Sequence, residues 1–498
     1  MSASAERLRI LFVATEAFPL AKEGGVADVM GSLPVELARL GHDVRLFLPR
    51  YGAIDPARWT LAPAGYHATV RIAGVERPVA IWRTTLPGAD VTVYLLENEE
   101  YFGQHARLYL GQDQLDEQRR FVLLCRGLLD ALPALDAVPD VFHLNDWQTA
   151  PCAALLRTSH RHLLRAGRGR IVYTIHNLQY QGRWDPTILD DAGLERARLF
   201  GPDGLEYWGD VNWMKAGITY ADAVTTVSRR YAAEIQTLDH GWGLDELLAR
   251  RHSRLFGIPN GIDWDAWNPA TDRALAARYS AARAAKIASA KRANRTAVRA
   301  EFGLADDPAV PLVTMVTRLV EQKGVDLLRG IGDELCALPL QLLVLGAGQP
   351  EYEAWLADLS ATSANVRARI GYDADLSRRL YAGGDFFLMP SAFEPGGLGQ
   401  LIALRYGTLP IARATGGLAD TITDVDADPE RGNGISFAEY TPAALLEALG
   451  RALRLFADAG RWAPLPARAM AYDSRWSASA GAYADLYRRV LRLPNTGQ

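Results

Sequence analysis

The sequence contains little cysteine and no long run of apolar residues. Its three cysteines, Cys125, Cys152 and Cys336, are widely spaced and form no C-x-x-C pair. This spacing excludes a disulfide framework or a cysteine-rich zinc site. No stretch of about 18 uncharged apolar residues occurs that could span a membrane, and Met1 to Arg7 lack the apolar segment of a secretion signal. We therefore expect a cytoplasmic protein with reduced thiols and no membrane partner.

The chain also lacks an excess of charge and several well-known catalytic motifs. Its 54 basic and 58 acidic residues give a formal net charge of -4, which offers no electrostatic basis for binding nucleic acid. The patterns G-x-G-x-x-G, H-E-x-x-H and G-x-S-x-G are all missing. These absences argue against a nicotinamide cofactor, a metalloprotease-type metal site and a serine hydrolase. We expect no metal and no cofactor.

The length and the order of apolar runs predict two α/β domains. A chain of 498 residues exceeds what one hydrophobic core usually serves. Short apolar runs alternate with helical stretches throughout, as in parallel sheets with crossover helices. The predicted strands are 9–14, 44–48, 91–96, 141–144, 171–175, 223–227, 312–316, 340–345, 385–389 and 408–412. The fold prediction is two Rossmann-like, doubly wound domains that face each other across a cleft.

The domain boundaries follow a change in composition after residue 263. Residues 1–263 form the predicted N-terminal domain, and residues 305–475 the predicted C-terminal domain. Between them, 264–304 is rich in Ala and Arg and reads as a helical, basic linker region. Its cations favour a solvated helix face over an anionic partner, since no motif accompanies them. Residues 476–498 are predicted to form a C-terminal helix that packs back on the N-terminal domain.

The first candidate site is the glycine loop after the first strand. Lys22, Gly24 and Gly25 lie between that strand and an amphipathic helix. Adjacent glycines let the backbone approach an anion, and the helix N-terminus and the Lys22 ammonium supply positive charge. The loop therefore predicts phosphate binding. A purely structural tight turn is the alternative.

The second half carries two further candidates. Arg318 and Lys323 follow the strand 312–316 and could stabilise the charge that develops on a leaving phosphate. Glu394 precedes Pro395 and a glycine pair, a turn that suits sugar hydroxyls. The alternatives are a surface helix cap for the two cations and a helix N-terminal acid for Glu394. A third glycine loop begins at Thr415, and together these loops suggest a nucleotide site.

In the first half, polar residues close two of the predicted strands. Asp146 and Trp147 follow one strand, and His176 and Asn177 follow the next. Polar side chains at strand ends mark the ligand site of an open α/β sheet. Taken alone, His176 also fits a structural, hydrogen-bonded histidine.

Taken together, these motifs resemble the bacterial glycogen synthases and plant starch synthases of glycosyltransferase family 5. The resemblance runs from about Arg9 to about Tyr487. Its motifs are K-x-G-G-V-A-D-V at Lys22, H-N-x-x-Y-Q-G at His176, P-N-G-I-D at Pro259, R-L-x-x-Q-K-G at Arg318, F-E-P-x-G-L at Phe393, and L-R-Y-G-T-L-P with T-G-G-L-A-D-T from Leu404 to Thr421.

The resemblance implies a glycosyltransferase B fold and a retaining transfer of glucose. The donor would be ADP-glucose, and the acceptor the non-reducing 4-hydroxyl of an α-1,4-glucan such as glycogen. It implies catalytic roles for Glu394, His176, Arg318 and Lys323, and it places Asp28, Asp146 and Trp147 on the acceptor side. The implied donor-binding residues are Lys22, Gly24, Gly25, Asn177, Asn260, Tyr372, Gly397, Leu398 and Thr415, with Tyr372 stacked on the adenine.

The chain departs from the family pattern at one position, Gly396, and a second position, Ile402, favours family 5 over a rival family. Gly396 stands where many bacterial relatives have Cys, so we expect activity without thiol sensitivity there. Ile402 occupies the position at which family 4 glycosyltransferases carry a second Glu. Two alternatives remain: a related retaining glucosyltransferase with another donor or acceptor, and a glucan-binding or regulatory protein that has lost catalysis.

Overall fold

The computed structural model describes residues 6–105, 107–111, 114–164 and 169–493. The chain divides into two compact units. Unit 1 comprises Met1–Pro259 and Trp476–Gln498, and unit 2 comprises Asn260–Arg475. The stretch 264–304, set apart above as a linker region, therefore lies within unit 2. No helix in the described part of the chain is long and apolar enough to cross a membrane.

Unit 1 is built on a nine-stranded sheet. The strands are β1 (Arg9–Val13), β2 (Asp43–Pro49), β3 (Ala62–Ile72), β4 (Val75–Thr85), β5 (Thr92–Glu97), β6 (Val141–Asn145), β7 (Arg170–Ile175), β8 (Arg183–Trp184), β9 (Glu206–Tyr207), β10 (Asp210–Asn212), β11 (Ala223–Thr226) and β12 (Leu255–Gly257). The large sheet has the order β12-β11-β7-β6-β1-β2-β5-β4-β3, and a second sheet has the order β8-β10-β9. From β12 to β5 the neighbouring strands are parallel, whereas β3 and β4 pair antiparallel at the edge.

Helices cover the parallel strands, because those strands are apolar on both faces and must be buried on both. Every residue of β6, β7 and β11 is buried. The helices before unit 2 are α1 (Gly25–Arg39), α2 (Leu115–Ala131), α3 (Asp146–Arg157), α4 (Thr187–Asp191), α5 (Arg196–Leu199), α6 (Trp213–Tyr220), α7 (Arg229–Glu234) and α8 (Asp245–Arg250). Short helical turns of other types span Glu99–Gly103, Arg161–Leu163 and His252–Arg254.

Unit 2 contains a six-stranded parallel sheet with the order β15-β14-β13-β16-β17-β18. Its strands are β13 (Leu312–Val316), β14 (Gln341–Gly346), β15 (Val366–Ile370), β16 (Phe386–Met389), β17 (Leu409–Arg413) and β18 (Ile435–Phe437). Its helices are α9 (Ala284–Glu301), α10 (Val325–Gly330), α11 (Gly332–Ala337), α12 (Pro350–Thr362), α13 (Ala374–Gly383), α14 (Gly399–Arg405), α15 (Gly416–Thr421), α16 (Pro442–Ala457), α17 (Ala459–Trp462) and α18 (Leu465–Ala471), with 3-10 turns at Ala281–Arg283 and Glu321–Lys323.

The last helix, α19 (Trp476–Leu491), belongs to unit 1. The side chains of Trp476, Tyr483 and Tyr487 are part of the unit 1 core. The Tyr487 hydroxyl lies 2.7 Å from Nδ1 of His143, and Nε2 of His143 lies 2.5 Å from the Thr174 hydroxyl. The helix is thus joined to β6 and β7 by buried hydrogen bonds as well as by apolar packing.

The expectation of a solvated basic face on 264–304 is wrong for three residues of α9. Lys291, Arg295 and Arg299 are buried. Lys291 donates to the carbonyls of Ala382 and Tyr406, and Arg295 forms two 2.7 Å hydrogen bonds with the carboxylate of Asp385. The long cationic side chains of this helix therefore point into unit 2, where buried carbonyl and carboxylate oxygens accept their hydrogen bonds. Composition alone does not reveal such pairing.

Candidate active site

The Lys22 loop of unit 1 connects β1 to α1, as predicted. Gly24 is the N-cap residue of the helix. The Lys22 ammonium is not free in this structure, because it contacts both carboxylate oxygens of Asp28, at 2.7 and 2.8 Å. It also lies 5.5 Å from the centre of the Phe18 ring. The two residues assigned to donor and acceptor sides therefore form one exposed ion pair.

Sequence reasoning missed Glu16, whose carboxylate supports the backbone of this loop. Its side chain is buried, and Oε2 accepts the backbone N–H groups of Glu23, at 2.7 Å, and Gly24, at 2.8 Å. The Tyr109 hydroxyl donates to Oε1 at 3.3 Å. A Cβ atom added at Gly24 would lie 3.0 Å from Oε1. No spacing in the sequence marks this acid, because its burial and its backbone partners arise only on folding.

Burial raises the pKa of Glu16 above its ordinary value, and the two backbone N–H groups act in the opposite direction. The two N–H donors therefore favour the ionised form of the carboxyl group, and burial opposes it. The position of the loop backbone and the charge of Glu16 are linked.

The ends of β6 and β7 bring Asp146 and His176 together. β6 and β7 are parallel neighbours in the sheet, so their carboxyl ends share one edge of the sheet. Asp146 has a φ of 56°, an uncommon backbone conformation for a residue other than glycine. Its Oδ1 accepts the His176 backbone N–H at 2.8 Å. Burial raises the pKa of Asp146 to about 7, against the effect of backbone N–H groups from His176 and Asn177.

The His176 imidazole is held in one orientation by Asn145. The Asn145 amide donates to the carbonyls of Val13, at 3.0 Å, and His143, at 3.3 Å, so its oxygen accepts from Nε2 of His176 at 2.9 Å. Burial lowers the pKa of His176 to about 4. The ring is therefore neutral at pH 7, with its proton on Nε2.

Trp147 and Asn177 have local structural contacts. Trp147 is buried, with its ring edge-to-face on Phe121 at a centroid distance of 5.6 Å. Gly182, with a φ of 61°, lies against the Trp147 ring so closely that a Cβ there would approach within 2.2 Å. Asn177 Oδ1 accepts the Gln179 N–H at 3.0 Å. The acceptor-side role of Trp147 and the donor role of Asn177 stay predictions.

In unit 2, the structure brings Lys323 and Glu394 into direct contact. The Lys323 ammonium donates to Oε2 of Glu394 at 2.6 Å, and the Ser391 hydroxyl donates to the same oxygen at 3.1 Å. Glu394 is buried, with 6% of its surface exposed. Gly324, with a φ of 74°, approaches the loop before Glu394, where a Cβ would lie 2.1 Å from the Pro390 carbonyl oxygen. The contact thus requires glycine beside Lys323.

The third glycine loop packs directly on the Glu394 loop. The Gly417 N–H donates to the Glu394 carbonyl at 2.9 Å, and a Cβ at Gly416 would lie 2.0 Å from that oxygen. Thr415, the N-cap residue of α15, is buried beside them. Gly397 has a φ of 60°, and the next residue, Leu398, caps α14. The loops after β13, β16 and β17, three neighbouring strands, therefore form one polar cluster.

Sequence reasoning also missed Gln400, which supports this cluster. Its buried amide nitrogen donates to the carbonyls of Gly396, at 3.0 Å, and Gly397, at 3.1 Å. These bonds fix the turn that follows Glu394. No pattern in the sequence marks this glutamine, because the carbonyls that it contacts are fixed only by folding.

Three predicted residues lie at other positions of unit 2. Arg318 is exposed, and its guanidinium lies 3.4 Å from Oε1 of Gln322, whose amide contacts the Phe393 carbonyl at 3.3 Å. Tyr372 follows β15 and is 80% exposed. Asn260 begins unit 2, and its buried Oδ1 has no hydrogen-bond partner among the described residues. In the part of the chain that the structure describes, no group of three His, Cys, Asp or Glu side chains could hold a metal ion.

Comparison with known proteins identifies the family. The profile of the starch synthase catalytic domain matches residues 9–250, and that of glycosyl transferases group 1 matches residues 310–454. A glycogen synthase from Geotalea daltonii is 43% identical over 97% of this chain and 99% of its own length. One from an Anaeromyxobacter species is 45% identical over the same shares. This chain belongs to the glycogen synthase family.

A solved relative supports the same assignment. The catalytic domain of starch synthase IV from Arabidopsis thaliana, bound to ADP and acarbose, superimposes with a TM-score of 0.89 at 34% identity, covering 98% of this chain and 100% of that one. The expected glycosyltransferase B fold, with parallel α/β sheets in two units, is confirmed.

Proposed function

We propose that this protein is a glycogen synthase that transfers glucose from ADP-glucose to the non-reducing 4-hydroxyl of an α-1,4-glucan, with retention of the anomeric configuration. The observation that carries the proposal is the 2.6 Å contact between Lys323 and the buried carboxylate of Glu394, at the carboxyl end of the unit 2 sheet. A nucleotide-sugar transferase needs a cation for the leaving phosphate and an acceptor for sugar hydroxyls, and this pair provides both.

Lys323 can serve the leaving group without releasing Glu394. An ammonium has three N–H donors, so one can stay on Oε2 of Glu394 while others address diphosphate oxygens. Arg318, which is exposed and lies on the same loop, adds a planar guanidinium that suits bidentate contact with phosphate. In this role the two cations stabilise the charge that develops on ADP as the glycosidic bond breaks.

The charge state of His176 fits a sugar that becomes cationic. A protonated imidazole beside an oxocarbenium-like centre would repel it, whereas burial keeps His176 neutral at pH 7. Its ring also has a fixed orientation, so His176 can position sugar hydroxyls without itself becoming protonated. We propose that the departing phosphate takes the proton of the attacking 4-hydroxyl, so that Glu394 orients the donor rather than forming a covalent intermediate.

The proposed function is tested by following glucose incorporation into glycogen with ADP-glucose and with UDP-glucose as separate donors. ADP-glucose should support transfer, and transfer confined to a small acceptor would contradict the proposal. Glu394→Ala should lower kcat by about 100-fold or more, the scale of losing one transition-state contact. Glu394→Gln preserves the shape and an oxygen for Lys323, so it separates loss of charge from collapse of the loop. Near-normal turnover by folded Glu394→Ala would refute the role of this residue.

A further inference from the structure

Two tryptophans of unit 1 adopt a backbone conformation that bulky residues rarely accept. Trp208 has a φ of 53° and Trp242 a φ of 50°, and each is followed by a glycine with positive φ, Gly209 at 89° and Gly243 at 78°. Left-handed backbone costs free energy for a residue with a large side chain. Strain of this kind persists where a residue has a purpose that outweighs it.

Trp208 is the clearer of the two because its turn is well defined. It lies with Gly209 in the two-residue loop between β9 and β10, where Tyr207 pairs with Asp210. The φ values of 53° and 89° are those of a type I′ hairpin turn, whose first position favours Asn, Asp or Gly. Tryptophan there is 84% exposed. Burial of this side chain therefore contributes little to folding, while its left-handed backbone conformation costs free energy.

Tyr207 contacts both tryptophan segments, one through its ring and the other through its hydroxyl. The Tyr207 and Trp208 rings are edge-to-face with centroids 6.5 Å apart, and the Tyr207 hydroxyl donates to the Trp242 carbonyl at 3.0 Å. Trp242 is 42% exposed. The Gln181 amide donates to the same carbonyl at 3.0 Å, and its neighbour Tyr180 is 40% exposed. We call Tyr180, Trp208 and Trp242 the aromatic platform.

Charged groups surround the platform. The Arg183 guanidinium lies 5.0 Å from the centre of the Tyr207 ring and forms a 2.8 Å ion pair with Asp210. Glu206 accepts the Gly209 N–H at 2.9 Å. Exposed aromatic rings beside exposed carboxylates and a guanidinium suit a sugar, whose C–H face stacks on a ring while its hydroxyls bond to charged groups. A protein interface core is instead depleted in charge.

The platform is continuous with the candidate active site of unit 1. Gln181 and Gly182 connect it to the strand-end segment that carries His176, and Gly182 lies against the Trp147 ring. The Trp213 N–H, at the start of α6 just beyond β10, bonds to the Gly182 carbonyl. A chain that leaves the acceptor side of the site therefore has aromatic rings available on the same segment.

We infer that the aromatic platform binds an α-1,4-glucan chain at a distance from the reacting end, a role that rests on the proposed function for its choice of ligand. It would hold a long acceptor while short ones are held at the reacting end alone. The site adds affinity for polymer and contributes nothing to bond making.

The test uses the preferences of the turn itself. Trp208→Asn installs the residue that a type I′ turn prefers, so it should raise the midpoint of thermal unfolding by about 1–2 °C. The same change should weaken binding to glycogen in an affinity gel by about two- to tenfold, the range for one aromatic contact. Stability and binding thus move in opposite directions, which a merely structural role for Trp208 does not produce. Trp208→Tyr should keep most of the binding.

Ala73 provides a matched control. It lies with Gly74 in the two-residue loop between β3 and β4, with φ values of 52° and 75°. Ala73→Asn should raise stability in the same way and leave glycogen binding unchanged. Glycogen binding by Trp208→Asn equal to that of the unaltered protein overturns the inference. So does a loss of self-association in sedimentation at unchanged glycogen binding, since the platform is then a protein interface.

The outcome also separates this inference from the proposed function. If the unaltered protein binds glycogen through Trp208 but transfers no glucose from ADP-glucose to any glucan, the platform stands and the proposed function fails. If transfer occurs and the KM for glycogen is the same in Trp208→Asn, the platform fails and the proposed function stands.

Discussion

Replacing Glu16 by alanine tests whether the Lys22 loop is held in place by the acid beneath it. Oε2 of Glu16 is the acceptor for the N–H groups of Glu23 and Gly24, where α1 begins. Glu16→Ala removes that acceptor and leaves two donors at the helix N-terminus to water. The loop then loses the contact that fixes its distance from β1.

The magnitude follows from the number and exposure of these bonds. Hydrogen bonds to a charged group contribute about 1.5–3 kcal/mol each, which gives an upper limit of about 3–6 kcal/mol for two. Glu23 is exposed and Gly24 half-buried, so water can replace part of this loss. We expect a net cost of about 1–3 kcal/mol for the ordered loop, which corresponds to a fall of about 5- to 150-fold in kcat/KM for ADP-glucose.

The assay measures kcat and KM for ADP-glucose at saturating glycogen, with circular dichroism and thermal unfolding as checks on folding. Glu16→Gln keeps one acceptor oxygen and should recover part of the activity. Asp140→Ala is the matched control, because Asp140 is a buried acid that accepts the Arg9 N–H at 2.9 Å, at the start of β1 rather than after its end. It should lower stability without a selective change in the donor KM. Unchanged donor kinetics in folded Glu16→Ala would refute the reasoning.

Two predictions concern stability. Burial lowers the pKa of His143 to about 3, so below pH 6.5 the unfolded chain binds a proton that the folded chain does not. Unfolding free energy should therefore fall by about 2 kcal/mol between pH 6.5 and 5 on account of this residue, and His143→Asn should show a correspondingly smaller loss in denaturant titrations at the two pH values. Arg295→Ala leaves the Asp385 carboxylate buried without its cation and should cost about 3–5 kcal/mol in the same titrations. Arg292→Ala, a change at an exposed position on the same helix, should alter the free energy of unfolding by no more than about 0.5 kcal/mol. Equal losses in the two variants would contradict a stabilising role for the buried Arg295–Asp385 pair.

Much of the fold could be predicted because parallel strands buried on both faces leave a plain signal. The runs that became β1, β6, β7 and β13 are mostly apolar, and polar or glycine-rich loops follow them. The edge strands gave no such signal. In β15 the sequence Val-Arg-Ala-Arg-Ile carries two arginines, since only one side of an edge strand is paired.

In the candidate site, too, some residues could be predicted from the sequence and others could not. Glycines and cations at strand ends indicated the Lys22, Lys323 and Glu394 loops, because an open backbone beside a positive charge suits a phosphate. Glu16, Ser391 and Gln400 could not be found so, since what each does depends on which backbone group faces it after folding. A side chain that orients another loop has no characteristic spacing in the sequence.

The two units hold their charged residues in different ways, and this difference bears on mechanism. Lys22 and Asp28 form an exposed ion pair, with 39% and 33% of their side chains accessible, whereas for Lys323 and Glu394 the values are 17% and 8%. Exposed pairs contribute little free energy and break readily, while a buried carboxylate needs its cation. Lys22 can therefore leave Asp28 for a phosphate at a small cost in free energy. If Lys323 left Glu394, the buried carboxylate would lose its compensating cation. In the proposed reaction Lys323 is thus a fixed part of the donor site in unit 2, whereas the ammonium of Lys22 in unit 1 is able to exchange Asp28 for another anion.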